Sequence, residues 1–315
     1  LCPVSEAATA RRKRKPSSKN SKPSSNASKA SAERKRGSNG RIMSRILYKY
    51  LDITGAKCMI GNSNLQFTNA TQLNDPFDCH PSLIDHEKNI DENSPWPQEW
   101  LIEKEKLDAE NFRKRTWLSS FSKVYDSAPM WAHYCKLHTG VCIGFDIEKL
   151  LASMPKWCGQ VMMEPYLFDV EYQDLKAVTN IYRPFCPQYT QWVTKDKSWE
   201  YEQEVRVIID NPVPWFAALT PDQAKRSKKG EVMDWEEVHH YTKISGDCFH
   251  SIYFGKDINA KEKEKIINYI RKKLNPNAKI YQMTIDDNTP RLKAEDITNI
   301  QCISDIELKK KLNNN

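Results

Sequence analysis

Apolar and polar positions alternate, or form short apolar runs, at eight places along the chain, which is the pattern of β-strands. The predicted strands cover residues 46–50, 65–68, 117–122, 141–146, 161–172, 205–209, 251–255 and 279–285. The run VCIGFD at 141–146 is almost entirely apolar. A run of that kind favours a central place in a sheet, buried on both faces.

Helical patterns lie between these strands. They predict helices at 95–115, 128–136, 221–229 and 259–274, and a short helix after Ser304. We expect Ser94 to cap the first helix, Gly140 to follow the second, and Asn259 with Glu262 to form a capping box on the fourth. Strands and helices do not alternate strictly. The sequence therefore predicts an α+β fold, with a mixed, largely antiparallel sheet and flanking helices.

The N-terminal stretch differs from the rest in charge. Residues 1–40 contain eleven Lys or Arg and two Glu, whereas the rest of the chain has 37 basic and 39 acidic residues. This Ser- and Lys-rich composition predicts a disordered basic tail at 1–43 before one α+β domain at 44–315, with Met43 as a candidate start. The tail fits a nuclear-import pattern or an arm that contacts nucleic acid, and a solvated linker is the alternative. The nearly neutral remainder disfavours a nucleic-acid-binding body.

The nine cysteines are scattered without a regular framework, which fits reduced thiols and a cytoplasmic protein. No run of 18 apolar residues is present, so no membrane span and no membrane partner are expected.

Concentrated acidic residues stand next to the strand predicted at 205–209. If the strand extends back through the sequence WEYEQEVR, then Glu200, Glu202, Glu204 and Arg206 share one face. Carboxylates about 6.5–7 Å apart along a strand repel one another unless a cation, a proton or a substrate lies between them. The alternative is a solvated strand face with a Glu–Arg pair, which contributes roughly 0–1 kcal/mol.

Four other stretches concentrate polar and aromatic side chains; their candidate site residues are Lys49, Tyr50, Asn74, Asp75, Asp78, Ser120, Ser122, His133 and Tyr134. Each has a structural alternative: an Asx turn at the Asn-Asp-Pro sequence, ordinary strand-edge hydroxyls, and a partly buried His133 beside Trp131. The sequence lacks CxxC pairs, HExxH, GxxxxGK[ST], GxGxxG and GxSxG, so no zinc site, phosphate loop or nucleophile elbow is expected.

Seven blocks in order resemble a widespread bacterial family catalogued as a domain of unknown function. The blocks are YKY at 48–50, the segment from Phe67 through NDPFD at 74–78, SFS at 120–122, MWAHY at 130–134, GVCIGF at 140–145, WEYEQEVR at 199–206 and IYFG at 252–255. The family's hallmarks are NDPFD, MWxHY and WxYExExR, and the resemblance covers about residues 44–290. It implies a cytosolic protein, in some genomes near phage-defence or mobile elements, and brings no settled activity.

The order of the Tyr-Lys-Tyr, Ser-x-Ser and Glu-x-Glu strands is also similar to the layout of ADP-ribosyltransferases. That resemblance implies a split-sheet cleft that binds NAD, with Lys49 on the diphosphate or ribose and an aromatic ring, Tyr50 or Tyr134, stacked on nicotinamide. It implies that Ser120 and Ser122 support the site. It further implies that Glu204 is the catalytic carboxylate and that Glu202 orients an unknown acceptor. Lys49 stands where those enzymes carry Arg or His, and the chain has no Ser-Thr-Ser run.

Three hypotheses follow. The first is an NAD-dependent ADP-ribosyltransferase-like enzyme, a toxin or phage-defence effector. The second is a Mg²⁺-dependent nuclease in which Asp75, Asp78, Glu202 and Glu204 hold the metal and Lys49 faces phosphate; the nearly neutral body counts against it. The third is a non-enzymatic sensor or binding module. A single site requires Lys49, Asp75, His133 and Glu204 to meet in space.

Overall fold

The computed structural model of the chain describes residues 45–154, 157–158, 161–162, 165–175, 187–210 and 239–299. The predicted tail at 1–43, the helix at 221–229 and the short helix after Ser304 lie outside the described residues.

The described residues form an α+β fold, as the sequence predicts. The strands are β1 Ile46–Leu51, β2 Asn64–Asn69, β3 Thr116–Ser122, β4 Val141–Asp146, β5 Trp157–Cys158, β6 Val161–Met162, β7 Tyr166–Asp169, β8 Glu171–Gln173, β9 Thr194–Asp196, β10 Glu204–Asp210, β11 His239–Lys243, β12 Phe249–Phe254, β13 Lys279–Ile285 and β14 Leu292–Asp296. The α-helices are α1 Ile53–Asn62, α2 Gln98–Lys114, α3 Ala128–His133, α4 Ile147–Ser153, α5 Pro187–Val193 and α6 Ala260–Tyr269, and a π-helical segment, Ile270–Leu274, continues α6.

Ten of the described strands build one sheet. Its path is β11-β2-β3-β1-β4-β12-β13-β14, with β10 paired to β3 and β7 paired to β10. All these pairings are antiparallel except the parallel pair β12–β13. The apolar strand β4 lies between β1 and β12, which confirms the central place predicted for it. The sheet is therefore mixed and largely antiparallel, as expected.

The sheet branches at β3. One long edge of β3 pairs with β10 over its whole length. The other edge is shared: β2 pairs with it at Trp117 and Leu118, and β1 pairs with it at Ser122. Residues 119–121 have no strand in register on that edge within the described chain. We call this opening between β1, β2 and β3 the β3 gap.

The two largest of the three apolar clusters in the described residues pack against the sheet. The larger contains fully buried aromatic residues of the strands, including Phe67, Trp117 and Phe145, together with residues of α1, α4 and α6. The smaller lies around Trp131 of α3, whose indole packs edge-on against Tyr50 with ring centroids 5.4 Å apart. Because β1 contributes Leu47 to the first cluster and Tyr50 to the second, it is held from both faces.

Several predicted helix boundaries were wrong. Helix α2 begins at Gln98 rather than at 95, because Pro97 is extended at the cap position and no side chain caps the helix. The hydroxyl of Ser94 instead accepts a hydrogen bond from the Trp96 amide at 3.4 Å. Helix α3 ends at His133 rather than at 136, and residues 136–138 that follow have φ of 46°, 54° and 65°. These left-handed residues cannot continue a right-handed helix.

Asn259 caps α6 as predicted, although the carboxylate of Glu262, the second member of the predicted box, forms ion pairs with Lys57 and Lys265 instead. The side chain of Asn259 accepts hydrogen bonds from the amides of Lys261 and Glu262, as a cap does. Helix α1 was missed. Asp52 caps α1 in the same way, accepting from Gly55 at 2.6 Å. Two glycines in its ten residues weaken the helical signal of α1.

The strand predicted at 161–172 was wrong as one element, since β6, β7 and β8 divide it. Among the described residues no helix is long and apolar enough to cross a membrane. Cys58, Cys79, Cys135, Cys142 and Cys248 are free thiols.

Candidate functional site

A cavity of about 370 Å³ opens at the β3 gap. Its wall is made by β1, the first half of α1, β2, β3, the turn at 73–78, Tyr134 after α3, and the segment from β9 to β10. The polar side chains on the wall are Tyr48, Lys49, Tyr50, Thr54, Asn64, Gln66, Thr68, Asn74, Asp78, Ser119, Ser120, Ser122, Tyr134, Lys195, Glu202, Glu204 and Tyr241. This volume is within the range of roughly 300–1,000 Å³ typical of small-molecule sites.

Strand register brings the predicted site strands side by side. Ser122 of β3 lies opposite Tyr48 of β1 on one edge and opposite Glu204 of β10 on the other. Lys49, next to Tyr48, reaches back over the β3 gap to the hydroxyl of Ser119 at 3.0 Å and the carbonyl of Ser120 at 2.9 Å. The basic, hydroxyl and acidic candidates therefore come from three neighbouring strands and line one cavity.

Lys195 of β9 lies among three carboxylates at the base of the cavity. Its ammonium is 2.6 Å from Glu202, 3.2 Å from Glu204 and 3.7 Å from Asp78. The ring of Trp199 covers it with the centroid 4.8 Å away. All four charged side chains are at most 5% exposed. The like charges that the sequence places together are thus stabilised by a buried cation.

Arg206 donates hydrogen bonds to two of these carboxylates, those of Glu204 and Asp78. Its guanidinium donates to both oxygens of Glu204, at 2.9 and 3.0 Å, and to Asp78 at 2.8 Å. It also donates to the carbonyl of Trp192 at 3.0 Å. Arg206 is fully buried, so these contacts are shielded from solvent. The bidentate pair fixes the plane of the Glu204 carboxylate.

The two glutamates of the cluster respond to burial differently. Burial alone raises the pKa of Glu204, but Arg206, Lys195 and a hydrogen bond from Ser120 outweigh it and hold that pKa well below its usual value. Burial also raises the pKa of Glu202, and the single ammonium of Lys195 offsets this only in part, so the pKa stays above its usual value. Glu204 is therefore the firmly ionised member of the pair.

Tyr134 connects Glu202 to the turn on the other side of the cavity. Its hydroxyl donates to Glu202 at 2.5 Å and accepts from the side-chain amide of Asn74 at 3.4 Å. Burial and the nearby Glu202 charge raise the pKa of Tyr134, so it remains a neutral donor. The tyrosine of the MWxHY block and the first residue of NDPFD thus meet at one carboxylate.

The strand predicted through Glu200 and Glu202 was wrong. Residues Lys197–Glu202 form a 3₁₀ helix, and Gln203 takes a left-handed conformation with φ of 44° before β10 begins at Glu204. Glu200 is exposed, whereas Glu202 is buried. Of the residues predicted to share a strand face, Glu204 and Arg206 therefore lie on β10. Glu202 comes close to Glu204 because both contact Lys195.

Of the four residues predicted to meet in space, Asp75 and His133 lie outside the cavity wall. Asp75 accepts a hydrogen bond from the Phe77 amide at 2.9 Å, which is the Asx turn considered from the sequence. His133 is exposed and stacks on Tyr201 with centroids 6.0 Å apart. The expectation that both meet Lys49 and Glu204 in one site was wrong, because Asp75 is engaged by its own turn and His133 by the ring of Tyr201.

Two other predicted residues reach the cavity with their polar atoms already engaged. Tyr50 lines it, but its hydroxyl donates to the Val124 carbonyl at 2.9 Å. The hydroxyl of Ser122 is buried and accepts from the Val124 amide at 3.2 Å. Tyr134, rather than Tyr50, has its hydroxyl in the charged part of the site.

Sequence reasoning missed Lys195 and Ser119. Lys195 lies in VTKDK, where a lysine between Thr and Asp reads as a solvated residue. β9 pairs in parallel with β8, and this pairing places Lys195 beside the three carboxylates. Ser119 faces away from Ser120 on β3 and shows no signal of its own. Among the described residues, no group of three or more His, Cys, Asp or Glu side chains is arranged to hold a metal ion.

Residues 130–207 match a family described as "Protein of unknown function (DUF2971)". The matched stretch contains Tyr134, Lys195, Glu202, Glu204 and Arg206, five members of the site. No curated protein and no solved structure matches the chain.

Proposed function

We propose that the cavity at the β3 gap binds NAD and that the protein is an ADP-ribosyltransferase-like enzyme that cleaves the bond between nicotinamide and ribose. The observation that carries this proposal is the convergence of Lys49, Ser120 and Glu204 from three neighbouring strands on one cavity. An opening between strands of the same sheet also supplies the cleft that such chemistry needs.

Glu204 suits the role of the catalytic carboxylate. Loss of nicotinamide leaves positive charge on the ribose, and a fixed negative charge beside it stabilises that transition state. Arg206 and Lys195 keep Glu204 ionised, and Arg206 fixes its orientation. The cation of the nicotinamide ring is likewise attracted to this acidic end of the cavity, where three carboxylates meet two buried cations.

Lys49 and the serines suit the other end of the same ligand. The Lys49 ammonium is the cavity cation without a carboxylate in ion-pairing distance among the described residues, so it is free to meet a diphosphate or a ribose hydroxyl. Ser120 supports Glu204 through a hydrogen bond. Tyr134 presents a ring and a hydroxyl to the cavity, and Glu202 beside it is the candidate to orient the acceptor.

The nuclease alternative has less support. A catalytic Mg²⁺ would require several carboxylate oxygens around a common point. The ammonium of Lys195 already occupies that point among Asp78, Glu202 and Glu204. Asp75, the fourth carboxylate of that hypothesis, is outside the cavity wall. A place among cytoplasmic toxins or phage-defence effectors stays a prediction from resemblance.

The test is release of nicotinamide from NAD by the full-length protein, with wild type beside Glu204→Gln and with EDTA added to a parallel sample. We expect turnover that EDTA does not change and that Glu204→Gln lowers by about 100-fold or more. Glu262→Gln is the matched control. Glu262 lies on α6, forms ion pairs with Lys57 and Lys265, and is not on the cavity wall.

The outcomes separate the hypotheses. No NAD cleavage by the wild type would refute the proposal. Equal cleavage by wild type and a folded Glu204→Gln would remove Glu204 from the mechanism. Cleavage of nucleic acid that EDTA abolishes would favour the nuclease.

A further inference from the structure

The cavity contains two lysines in opposite surroundings. Lys195 is enclosed by three carboxylates, and their charges raise its pKa despite burial. Lys49 instead donates to two neutral oxygens, the Ser119 hydroxyl at 3.0 Å and the Ser120 carbonyl at 2.9 Å. Its Nζ also lies 5.1 Å from the centroid of the Phe121 ring. The charges around Lys195 thus stabilise its ammonium, whereas Lys49 has no carboxylate in ion-pairing distance among the described residues.

The contacts of Lys49 can be made by its ammonium and by its neutral amine alike, because both accepting oxygens are uncharged. A neutral amine has two hydrogens and one lone pair. In the neutral form, the oxygens at Ser119 and Ser120 accept the two hydrogens, and the lone pair of Nζ is available to a ligand in the cavity.

The charges around Lys49 are consistent with this state. Burial lowers the pKa of Lys49 to about 8, and the charge of Glu204 offsets the effect in part. The other carboxylates at the cavity, Asp78 and Glu202, are engaged by Arg206 and Lys195. β3 and β4, which flank Lys49, place Ser119, Ser120 and Ile143 next to it, and none of these carries a charge.

We propose that Lys49 is a reactive amine that captures a small aldehyde in the cavity as an imine. The lone pair of Nζ attacks the carbonyl carbon and a C–N bond forms. The carbonyl oxygen then leaves as water with the two amine hydrogens, and a C=N bond remains. The step needs no oxidant or metal. Amines that react in this way are lysines in desolvated pockets, because the neutral form is the nucleophile.

The proposal does not rest on NAD chemistry. It needs the cavity, which at about 370 Å³ admits a small molecule, and the exposed edge of Lys49. Lys49 is half-buried, so a small reagent reaches it, whereas Lys195 is 4% exposed and charged. Lys195 therefore serves as an internal comparison in the same cavity.

The experiment treats the full-length protein with propanal and cyanoborohydride near neutral pH and measures propylation of each lysine by peptide mass spectrometry. Lys49 is compared with Lys195 and with the exposed Lys261. We expect Lys49 to be labelled at least about 10-fold faster than Lys261, because an amine with a pKa near 8 is roughly one-tenth neutral at pH 7, far more than an ordinary lysine. Its labelling rate should rise to a plateau above about pH 8.

Labelling of Lys49 no faster than that of Lys261 would overturn the proposal, and so would equal labelling of Lys49 and Lys195. A second series adds NAD. Protection of Lys49 by NAD would support both the reactive amine and the NAD site. Fast labelling that NAD does not change would leave the reactive amine standing and count against the proposed NAD site alone.

Discussion

The ammonium of Lys195 lies 2.6 Å from a carboxylate oxygen of Glu202 that belongs to a different element. β9 carries the lysine and a 3₁₀ helix carries the glutamate, and both side chains are almost completely buried. The same ammonium also meets Glu204 and Asp78. One cation therefore joins the turn that carries Asp78 to the consecutive elements from β9 to β10, and the site depends on it.

Replacement of Lys195 by Met should strongly destabilise the protein. Removing one partner of a buried ion pair typically costs about 3–5 kcal/mol, because the remaining charges are left uncompensated. Urea unfolding followed by tryptophan fluorescence measures the free energy. Lys57→Met is the control, since Lys57 pairs with Glu262 at 2.8 Å but is 51% exposed. That exposed pair should contribute at most about 1 kcal/mol.

We expect the Lys195→Met variant to bind a metal ion more tightly than the wild type does. Without Lys195, the carboxylate of Glu202 has lost its ammonium partner, while Arg206 remains on Asp78 and Glu204. Ca²⁺, which prefers oxygen ligands, should then raise the thermal midpoint of Lys195→Met and leave that of the wild type unchanged. Equal responses of the two proteins to Ca²⁺ would show that the ammonium does not hold the position of a cation site.

Arg206→Lys should also be costly, although it keeps the charge. A lysine has no planar fork and cannot meet both oxygens of Glu204 while contacting Asp78 and the Trp192 carbonyl. At least one buried acceptor loses its partner, which costs about 1–3 kcal/mol or more. Arg45→Lys is the matched control, because Arg45 pairs with Asp169 on the exposed edge of the sheet. Equal unfolding free energies for the two variants would contradict this role of Arg206.

The stability contributed by Glu204 should depend on pH in a defined direction. Its pKa in the folded protein is lowered from the usual 4.5, so the ionised form favours the folded state. This contribution is fully present above about pH 4.5 and is lost as the pH falls toward the folded-state pKa. The difference in unfolding free energy between wild type and Glu204→Gln should therefore shrink in acid. A difference that stays constant from neutral pH into acid would exclude a lowered pKa.

The control for that comparison is Glu200→Gln. Glu200 lies in the same segment but is exposed. Its replacement by Gln should change the unfolding free energy by no more than about 0.5 kcal/mol, both at neutral pH and in acid, as is usual for surface substitutions.

The alternation of apolar residues was enough to predict most of the sheet. β1, β3, β4, β12 and β13 form where the periodicity places them, because each buries at least one face against a large apolar cluster. The same alternation did not predict the structure of the segment before β10. Its acids suggested a continued strand, but Gln203 turns the chain with positive φ, and a local 3₁₀ helix satisfies the backbone instead.

The site could be predicted in part for a physical reason. Lys49, Ser120 and Glu204 lie on regular strands, so register brings them together. Lys195 was not predictable, because its contacts join short elements distant in sequence from Asp78. Asp75 and His133 had the residue types of a site, but Asp75 closes a local turn and the exposed His133 stacks on Tyr201 outside the cavity wall.

Calorimetric titration of the full-length protein with NAD measures whether the cavity at the β3 gap binds NAD and whether Lys49 contributes to that binding. We expect saturable binding to the wild type at one site and clearly weaker binding to Lys49→Met, with the unfolding free energy of both proteins checked beside the titration. Lys57→Met, whose lysine is exposed and outside the cavity wall, should bind NAD as the wild type does. Absence of NAD binding by the folded wild type, or equal binding by wild type and folded Lys49→Met, would contradict the account.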